Sequence, residues 1–271
     1  ESLTRSEDGP DYNPIWYQLK GQGYVHSGSV QPVEVKVNTP VTYLPPQGAL
    51  FEVSVPFTDT LWSHKTPRFI AYRLYYGTTH WVSSVLRDEH GSVWYKIFDD
   101  KFKVSHYANA VHLRQVKLAD VEPISPQVPA QLKRLEIRLE SQTVLAYEDE
   151  NVVYMARAAT GAHFSNGDFR TPTGHFETSR KRPSRHMASG DPAAPNGYDL
   201  PGVPWVCYIT SSGIAFHGTY WHNDFGKPRS HGCVNVSSEA ARWIYRWTQP
   251  IANLQIIYLT APTGTSIDIM E

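Results

Sequence analysis

The chain has 271 residues, and its 25 Lys and Arg nearly balance its 26 Asp and Glu, which excludes a nucleic-acid scaffold built on a basic face. No stretch of 18 consecutive apolar residues is present, so we expect no membrane span. Aromatic residues form 13% of the chain beside 20 Pro and 18 Gly, a mixture typical of short strands and turns. Two cysteines are too few for a disulfide framework. We therefore expect a mainly β protein with two domains, or one large β domain as the alternative.

The N-terminal region predicts short strands in two similar copies. After a polar arm over residues 1–13, the apolar segment 15–19, a Gly-rich turn and segment 24–26 predict a hairpin. Segments 94–98 and 111–116 repeat this pattern, and their end, Leu-Arg-Gln-Val, corresponds to residues 30–33. Two weak copies predict a small β-barrel repeat. The pattern resembles bacterial SH3-like wall-targeting modules, and this resemblance implies wall binding by residues 1–118.

Residues 119–131 contain three prolines and no hydrophobic periodicity. Because proline disfavours both helix and strand pairing, this segment predicts a stiff linker. We place the domain boundary here, with a second domain over residues 132–271.

The second domain begins with a clear strand, because apolar and charged residues alternate over residues 134–140. Further strands are predicted over 143–147, 152–156, 203–209, 214–217, 254–259 and 266–269. A helix capped by Ser237 or Ser238 is predicted to end before Pro250. Residues 179–203 hold four prolines, three glycines and several basic side chains without periodicity, which predicts a long functional loop of the lid type.

The densest group of reactive side chains lies over residues 217–235. Cys233 follows Gly232 and His231, and His217 lies sixteen residues before Cys233. A thiol at neutral pH is mostly protonated and needs a neighbouring imidazole to become a thiolate. On a strand over 214–217, His217 shares one face with Ala215. Gly232 lets the chain turn sharply and brings amide groups near a reacting carbonyl, where they can form an oxyanion hole.

The alternative is that Cys233 is a small buried hydrophobic residue and the histidines are surface residues. A buried cysteine rarely lies in so polar and Gly-rich a turn, with Ser230 and Asn235 on either side. The surroundings therefore favour a reactive cysteine.

The sequence resembles the L,D-transpeptidase (YkuD-type) family of bacterial cell-wall enzymes. The resemblance rests on His-Gly-Thr at 217–219 and Ser-His-Gly-Cys-Val-Asn at 230–235, and it extends to Thr160-Gly161, residues 171–176 and residues 200–205. It covers about residues 130–271.

The resemblance implies a β-sandwich-like catalytic domain with one short helix after the cysteine motif. It implies Cys233 as the nucleophile and His217 as its base, with the Gly218 carbonyl orienting the imidazole and His231 and Gly232 around the oxyanion site. Such enzymes attack the bond between the third residue of a peptidoglycan stem peptide, a diamino acid, and the following D-Ala. A thioester forms, D-Ala leaves, and the side-chain amine of a second stem takes the acyl group.

The resemblance also implies peptidoglycan stem peptides as partners, no cofactor, no metal and an extracytoplasmic location in the cell wall or periplasm. A chain that begins with Glu1 rather than Met agrees with a removed or trimmed leader. Further residues are assigned as follows: Ser230 and Asn235 brace the turn; Tyr220, Trp221, His222 and Trp205 contact substrate; Arg185 and Arg229 pair with a stem carboxylate; Cys207 fills the core.

Three other functions stay open at this stage. An L,D-carboxypeptidase would share the thioester and use water as the acceptor. A zinc hydrolase could use His217, His222, His231 and Cys233, but no carboxylate base lies at a His-Glu-x-x-His spacing. The third alternative is a non-catalytic wall-binding protein, but that function does not explain the Cys–His pair.

Overall fold

The computed structural model describes residues 3–8, 14–65, 69–191, 197–252, 254 and 257–271. This part of the chain is mainly β, as the sequence predicts, with one α-helix.

The N-terminal region contains two antiparallel sheets. The first consists of β1 (Leu3–Asp8), β2 (Ile15–Leu19) and β3 (Gly23–His26). The second has the order β10-β4-β7-β8-β9-β5-β6. Its strands are β4 (Ala49–Val53), β5 (Phe57–Leu61), β6 (Ile70–Tyr75), β7 (Thr79–Arg87), β8 (Val93–Phe98), β9 (Ser105–Asn109) and β10 (Leu113–Gln115). The predicted hairpin over 15–26 is present, and part of the polar arm pairs with β2 as a strand.

The SH3-like interpretation of this region is not confirmed. The first of the two similar segments lies in the three-stranded sheet, whereas the second lies in the seven-stranded sheet. Short sequence similarity does not decide which strands pair, because pairing depends on long-range contacts and burial. Wall binding by this region therefore stays a prediction.

The C-terminal half has two five-stranded sheets with a common core. One has the order β13-β12-β11-β22-β16, and the other β20-β19-β18-β17-β21. The strands of the first are β11 (Lys133–Arg138), β12 (Thr143–Glu148), β13 (Asn151–Arg157), β16 (Gly174–Glu177) and β22 (Ser266–Met270). The strands of the second are β17 (Arg180–Ser189), β18 (Tyr198–Tyr208), β19 (Ala215–Gly218), β20 (Val234–Val236) and β21 (Leu259–Thr260). Between β13 and β16, β14 (His163–Phe164) and β15 (Gly167–Asp168) form a short hairpin.

The helix α1 (Ser238–Trp247) completes the layer between the sheets. The Ser237 hydroxyl caps it by accepting a hydrogen bond from the Ala240 amide at 3.2 Å. Its buried face, which includes Ile244 and Trp247, packs in one cluster with residues of both five-stranded sheets. This arrangement matches the predicted β-sandwich-like domain with one short helix.

The prediction of a long loop over residues 179–203 is wrong for the described part of that range, because 180–189 and 198–203 are paired strands of β17 and β18. Residues 192–196 of the predicted loop lie outside the described residues. Two polar side chains of β17, Lys181 and His186, are buried and have hydrogen-bond partners there. Lys181 donates to the carbonyls of Tyr245 and Thr248 at 2.6 and 2.7 Å, at the C-terminal end of the helix. A hydrophobic pattern does not reveal β17, because its buried positions are Lys181, Pro183 and His186 instead of apolar strand-forming residues. The strand predicted over 254–259 lies partly outside the described residues.

The two halves of the chain meet along this hairpin. His186 is hydrogen-bonded to Asp99 of the N-terminal region and to Asp199 of β18, and Arg182 and Arg185 both pair with Asp100. Burial lowers the pKa of His186, but the two carboxylates outweigh it, so the net shift is upward. The main core also includes apolar residues from the N-terminal side: Leu50, Trp81, Val116 and Val121.

The segment over 119–131 is packed on the helix instead of being extended into solvent. Arg242 Nε donates to the Asp120 carbonyl at 2.9 Å, and Arg246 Nε donates to the Glu122 carbonyl at 2.8 Å. The domain boundary at this segment stays a prediction. The contacts show that it is a fixed connection between the two halves.

Gly202 lies at a close contact between the two halves. Its φ is +73°, and a Cβ built on it would lie 2.2 Å from His80 Cε1, a ring atom of the buried β7 histidine. Only glycine adopts this backbone conformation without cost, and only glycine leaves room for the ring.

We therefore expect Gly202→Ala to lower the free energy of unfolding by about 3 kcal/mol, because left-handed strain and overpacking add. Gly91→Ala is the matched control: its φ is +81°, but nothing lies within 4 Å of the added Cβ. That control should lose only about 1 kcal/mol. Denaturant unfolding measures both, and equal losses would show that the His80 contact is absent in solution.

Candidate active site

The site is built on the parallel pair β19–β20. Phe216 lies opposite Val234, and His217 lies opposite Asn235. Phe216 and Val234 belong to the main core, whereas Ala215 and Cys233 pack in a separate cluster on the other face of the sheet. Cys233 directly precedes β20, and neighbouring strands lie about 4.8 Å apart. Cys233 and His217 are therefore diagonal neighbours on one face.

His217 is buried and held in one tautomer. Its Nδ1 lies 3.2 Å from the Gly218 carbonyl oxygen. Because a carbonyl only accepts, Nδ1 carries the proton and Nε2 keeps its lone pair. Burial lowers the pKa of His217 to about 4, although the hydrogen bond to Gly218 opposes this shift. The imidazole is therefore neutral at pH 7 and can act as a base through Nε2.

Cys233 is half-buried, and its Sγ lies 4.0 Å from the Gly213 carbonyl oxygen. Burial raises the pKa of the Cys233 thiol above its ordinary value, and a hydrogen bond from the Ala215 amide only partly offsets this. The resting pair is thus a neutral thiol beside a neutral imidazole. Such a pair forms the thiolate only when the proton moves to histidine.

The turn before the cysteine is held by hydroxyl groups. Ser230 Oγ donates to the Cys233 carbonyl at 2.5 Å and accepts from the Gly232 amide at 3.2 Å. Thr171 Oγ1 donates to the Gly232 carbonyl at 2.9 Å. Gly232 has a φ of +109°, which favours glycine. Because the Gly232 amide already donates to Ser230, it is not a free oxyanion donor in this structure.

A neighbouring segment fixes the position of this turn. Ala159 and Asn235 exchange two backbone hydrogen bonds of 2.8 and 3.0 Å, and the Ser230 amide donates to the Thr160 carbonyl at 2.9 Å. The Gln142 side chain holds Thr160 with two hydrogen bonds of 2.7 and 2.8 Å. The sequence motif contained Thr160 and Thr171 but gave them no role, and nothing in the sequence points to Gln142.

Two predicted substrate contacts lie beside the imidazole. The Trp221 ring centre is 5.7 Å from that of His217, and 38% of the residue is exposed. Tyr220 donates to the Pro201 carbonyl at 3.1 Å and stacks on Tyr75 of the N-terminal sheet. Both residues are placed where a substrate near His217 could contact them.

The other predicted histidines differ from each other. His222 is buried; its Nε2 lies 3.2 Å from the Asn235 side-chain amide, and its Nδ1 accepts from the Asp224 amide at 3.1 Å. Burial, with a smaller contribution from Arg229, lowers the pKa of His222 to about 4. His231 is exposed, and its ring stacks 4.8 Å from Phe164.

Three predicted substrate contacts are placed elsewhere. Trp205 is 1% exposed in the main core, so its assignment to the substrate site is not supported. Arg185 pairs with Asp100 between the two halves of the chain, and Arg229 pairs with Asp224 at 2.5 Å. In this structure both arginines thus pair with carboxylates of the chain itself. Cys207 is fully buried, 4.0 Å from Thr248 Oγ1.

Two general features of the described residues bear on function. No group of three or more His, Cys, Asp or Glu side chains there is arranged to hold a metal ion. Among the described residues, no helix has the length and apolar character needed to cross a membrane.

A family model for the L,D-transpeptidase catalytic domain, YkuD, matches residues 132–269, half of the chain. This chain belongs to that family. The matched range contains the Cys–His pair, the segment that holds the cysteine turn, and the helix. The comparison with curated proteins found no match.

Solved structures of L,D-transpeptidases from several bacteria are similar to this chain. One from Mycobacterium smegmatis is 19% identical over 64% of this chain and 75% of that one, with a TM-score of 0.43. L,D-transpeptidase 3 from Mycobacterium tuberculosis, solved with a faropenem-derived adduct, is 19% identical over 62% and 74%, with a TM-score of 0.40. One from Xylanimonas cellulosilytica is 27% identical over 51% and 60%, with a TM-score of 0.36. Family membership rests on the family model.

Removal of the Ser230 hydroxyl tests the rigidity of the cysteine turn. Ser230→Ala leaves the Gly232 amide and the Cys233 carbonyl without this partner, so we expect thiol alkylation by iodoacetamide at Cys233 to change severalfold and stability to fall by about 1–2 kcal/mol. The exposed Ser211→Ala is the control and should change neither. Peptide mapping measures alkylation, and an unchanged rate and stability in Ser230→Ala would contradict the proposed support.

Proposed function

We propose that this protein is a peptidoglycan L,D-transpeptidase in which Cys233 is the nucleophile and His217 the general base. The placement of the two side chains on one face of the β19–β20 pair, with His217 Nδ1 bound to the Gly218 carbonyl, carries this proposal. Membership of the family supports peptidoglycan as the substrate class. Since this substrate lies outside the cytoplasm, we also propose an extracytoplasmic location.

The first half-reaction forms a thioester. His217 Nε2 takes the thiol proton as Cys233 Sγ attacks the carbonyl of the third stem residue. The tetrahedral intermediate collapses when the imidazolium returns the proton to the leaving D-Ala amine. A neutral resting pair suits these two steps, because the same imidazole must first accept the thiol proton and then release it to the leaving amine.

The second half-reaction transfers the acyl group. The side-chain amine of a second stem attacks the thioester carbonyl, His217 removes a proton from that amine, and the cysteine leaves as thiol. An amide cross-link replaces the thioester, and the enzyme returns to its starting state. If water attacks in place of the amine, the product is a shortened stem, as in an L,D-carboxypeptidase.

The decisive experiment supplies a stem tetrapeptide ending in D-Ala and a second stem with a free side-chain amine. We expect mass spectrometry to show a cross-linked product and released D-Ala in equal amounts. Cys233→Ser should abolish both, because a hydroxyl is far harder to ionise than a thiol. His217→Ala should slow the reaction by about 10²–10⁴-fold.

Cys207→Ala is the control for the loss of a cysteine, since Cys207 lies in the core, and it should remain active. Peptide mapping after treatment with faropenem gives a second readout, because an L,D-transpeptidase similar to this chain was solved with a faropenem-derived adduct. An adduct on Cys207 in place of Cys233 would overturn the assignment of Cys233 as the nucleophile. A shortened stem without any cross-linked product would show that the protein is an L,D-carboxypeptidase instead of a transpeptidase.

The pH dependence of acylation tests the state of His217. Because burial lowers its pKa to about 4, the base is protonated only in acid, so the rate should fall as the pH decreases through about 4. Between there and the raised pKa of Cys233 we expect a plateau. The pKa of His222 is also lowered to about 4, so His222→Gln is the control. An unchanged midpoint in this variant assigns the titration to His217. A midpoint near 6.5 would show that the imidazole is solvated, against the proposed arrangement.

A further inference from the structure

A groove of about 660 Å³ connects the N-terminal sheet with the catalytic face. One wall is β6, the edge strand of the seven-stranded sheet, and the other is the beginning of β18. Trp221 lines the groove, and its ring lies beside that of His217. The groove therefore adjoins the candidate active site at Trp221 and is built by both halves of the chain.

Aromatic rings follow one another along this groove. Tyr75 of β6 stacks on Tyr220 with ring centres 5.8 Å apart and planes inclined by 24°. The Tyr220 and Trp221 centres are 5.1 Å apart, and Trp221 lies 5.7 Å from His217. Tyr75 remains 45% exposed despite its apolar ring. A half-exposed aromatic surface of this kind, next to reactive groups, is typical of a binding site.

Fixed polar groups accompany the rings on both walls. Arg73 of β6 is held by two hydrogen bonds to Asp59, at 2.7 and 2.9 Å, and its side chain is 47% exposed. On the opposite wall the Asp199 carboxylate is held by His186 and is 30% exposed. Planar hydrogen-bonding groups beside aromatic faces match the chemistry of a sugar, which has an apolar C–H face and a rim of hydroxyls.

We propose that this groove binds the glycan strand of peptidoglycan, so that the N-terminal region forms part of the substrate site. The proposal rests on the proposed function, which places the third stem residue at Cys233. Three extended residues span at most about 10 Å, so the sugar that carries the stem lies close to the reacting carbonyl. A groove that adjoins the candidate active site at Trp221 is within that reach.

An extended peptide fits this groove less well than a glycan. Residues of β6 and β18 approach within 8 Å of one another, measured between Cα atoms. A strand paired with both edges would need a separation of roughly 9.6 Å, twice the usual spacing. In addition, Pro201 in the β18 wall has no amide to donate. A sugar that stacks on the aromatic rings needs neither this strand spacing nor a backbone amide at Pro201.

The test compares a glycan-bearing substrate with a glycan-free one in the full chain. Tyr75→Ala should lower kcat/KM on disaccharide-linked tetrapeptide roughly tenfold more than on the free tetrapeptide, because one aromatic contact is lost. Tyr75→Phe keeps the ring and should retain most of the difference. Tyr43→Ala removes a tyrosine that is 79% exposed and lies outside the groove, and it should change neither rate.

Titration with chitotetraose, a soluble tetramer of N-acetylglucosamine, measures sugar binding without catalysis. We expect calorimetry to detect binding by the wild type and Tyr75→Phe, and at least fivefold weaker binding by Tyr75→Ala. Equal losses on both substrates would assign the groove to the peptide, and no effect of Tyr75→Ala in either measurement would overturn the proposal. If the wild type cross-links neither substrate, the proposed function fails. The chitotetraose titration then still shows whether the groove binds a glycan.

Discussion

The parallel pairing of β19 with β20 is the constraint on which the rest of the site depends. It places Phe216 and Val234 in the main core and turns His217 and Cys233 to the opposite face. A shift of β20 by one residue would turn Val234 out of the main core and turn Cys233 into it, away from His217. The core below and the hydrogen bonds from Ala159 on the far edge of β20 both oppose such a shift. Stability and reactivity thus depend on the same register.

The environment of the pair determines its chemistry. Burial lowers the pKa of His217 and raises that of Cys233, so neither group is charged before substrate arrives. A neutral pair requires less solvation than a thiolate–imidazolium pair, which suits a site enclosed by apolar residues. The Gly218 carbonyl then selects the tautomer that leaves Nε2 available. In the proposed mechanism, burial keeps both groups neutral at rest, and the hydrogen bond to Gly218 leaves Nε2 free to accept the thiol proton.

The β17–β18 hairpin joins this site to the N-terminal region. Its first strand carries the basic residues that meet Asp99 and Asp100, and its second strand pairs with β19. Because carboxylates neutralise Arg182, Arg185 and His186 at buried or half-buried positions, these charges join the two halves and are not available to a substrate. The same hairpin forms one wall of the groove beside Trp221. The β17–β18 hairpin therefore both joins the two halves and borders the groove beside the candidate site.

The local features of this protein can be predicted from the amino-acid sequence alone. Alternation over 134–140, the Ser237 cap and the His217 and Cys233 motif are patterns of near neighbours, and the structure contains the corresponding strand, helix and reactive face. Features that depend on residues distant in the chain follow only from the folded structure. The segment Arg180–Ser189 forms a strand because carbonyls and carboxylates far along the chain satisfy the buried side chains of Lys181 and His186. Trp205 lies in the core, and Gln142 supports the cysteine turn, for the same reason: strand pairing fixes which distant residues meet, and no local pattern encodes it.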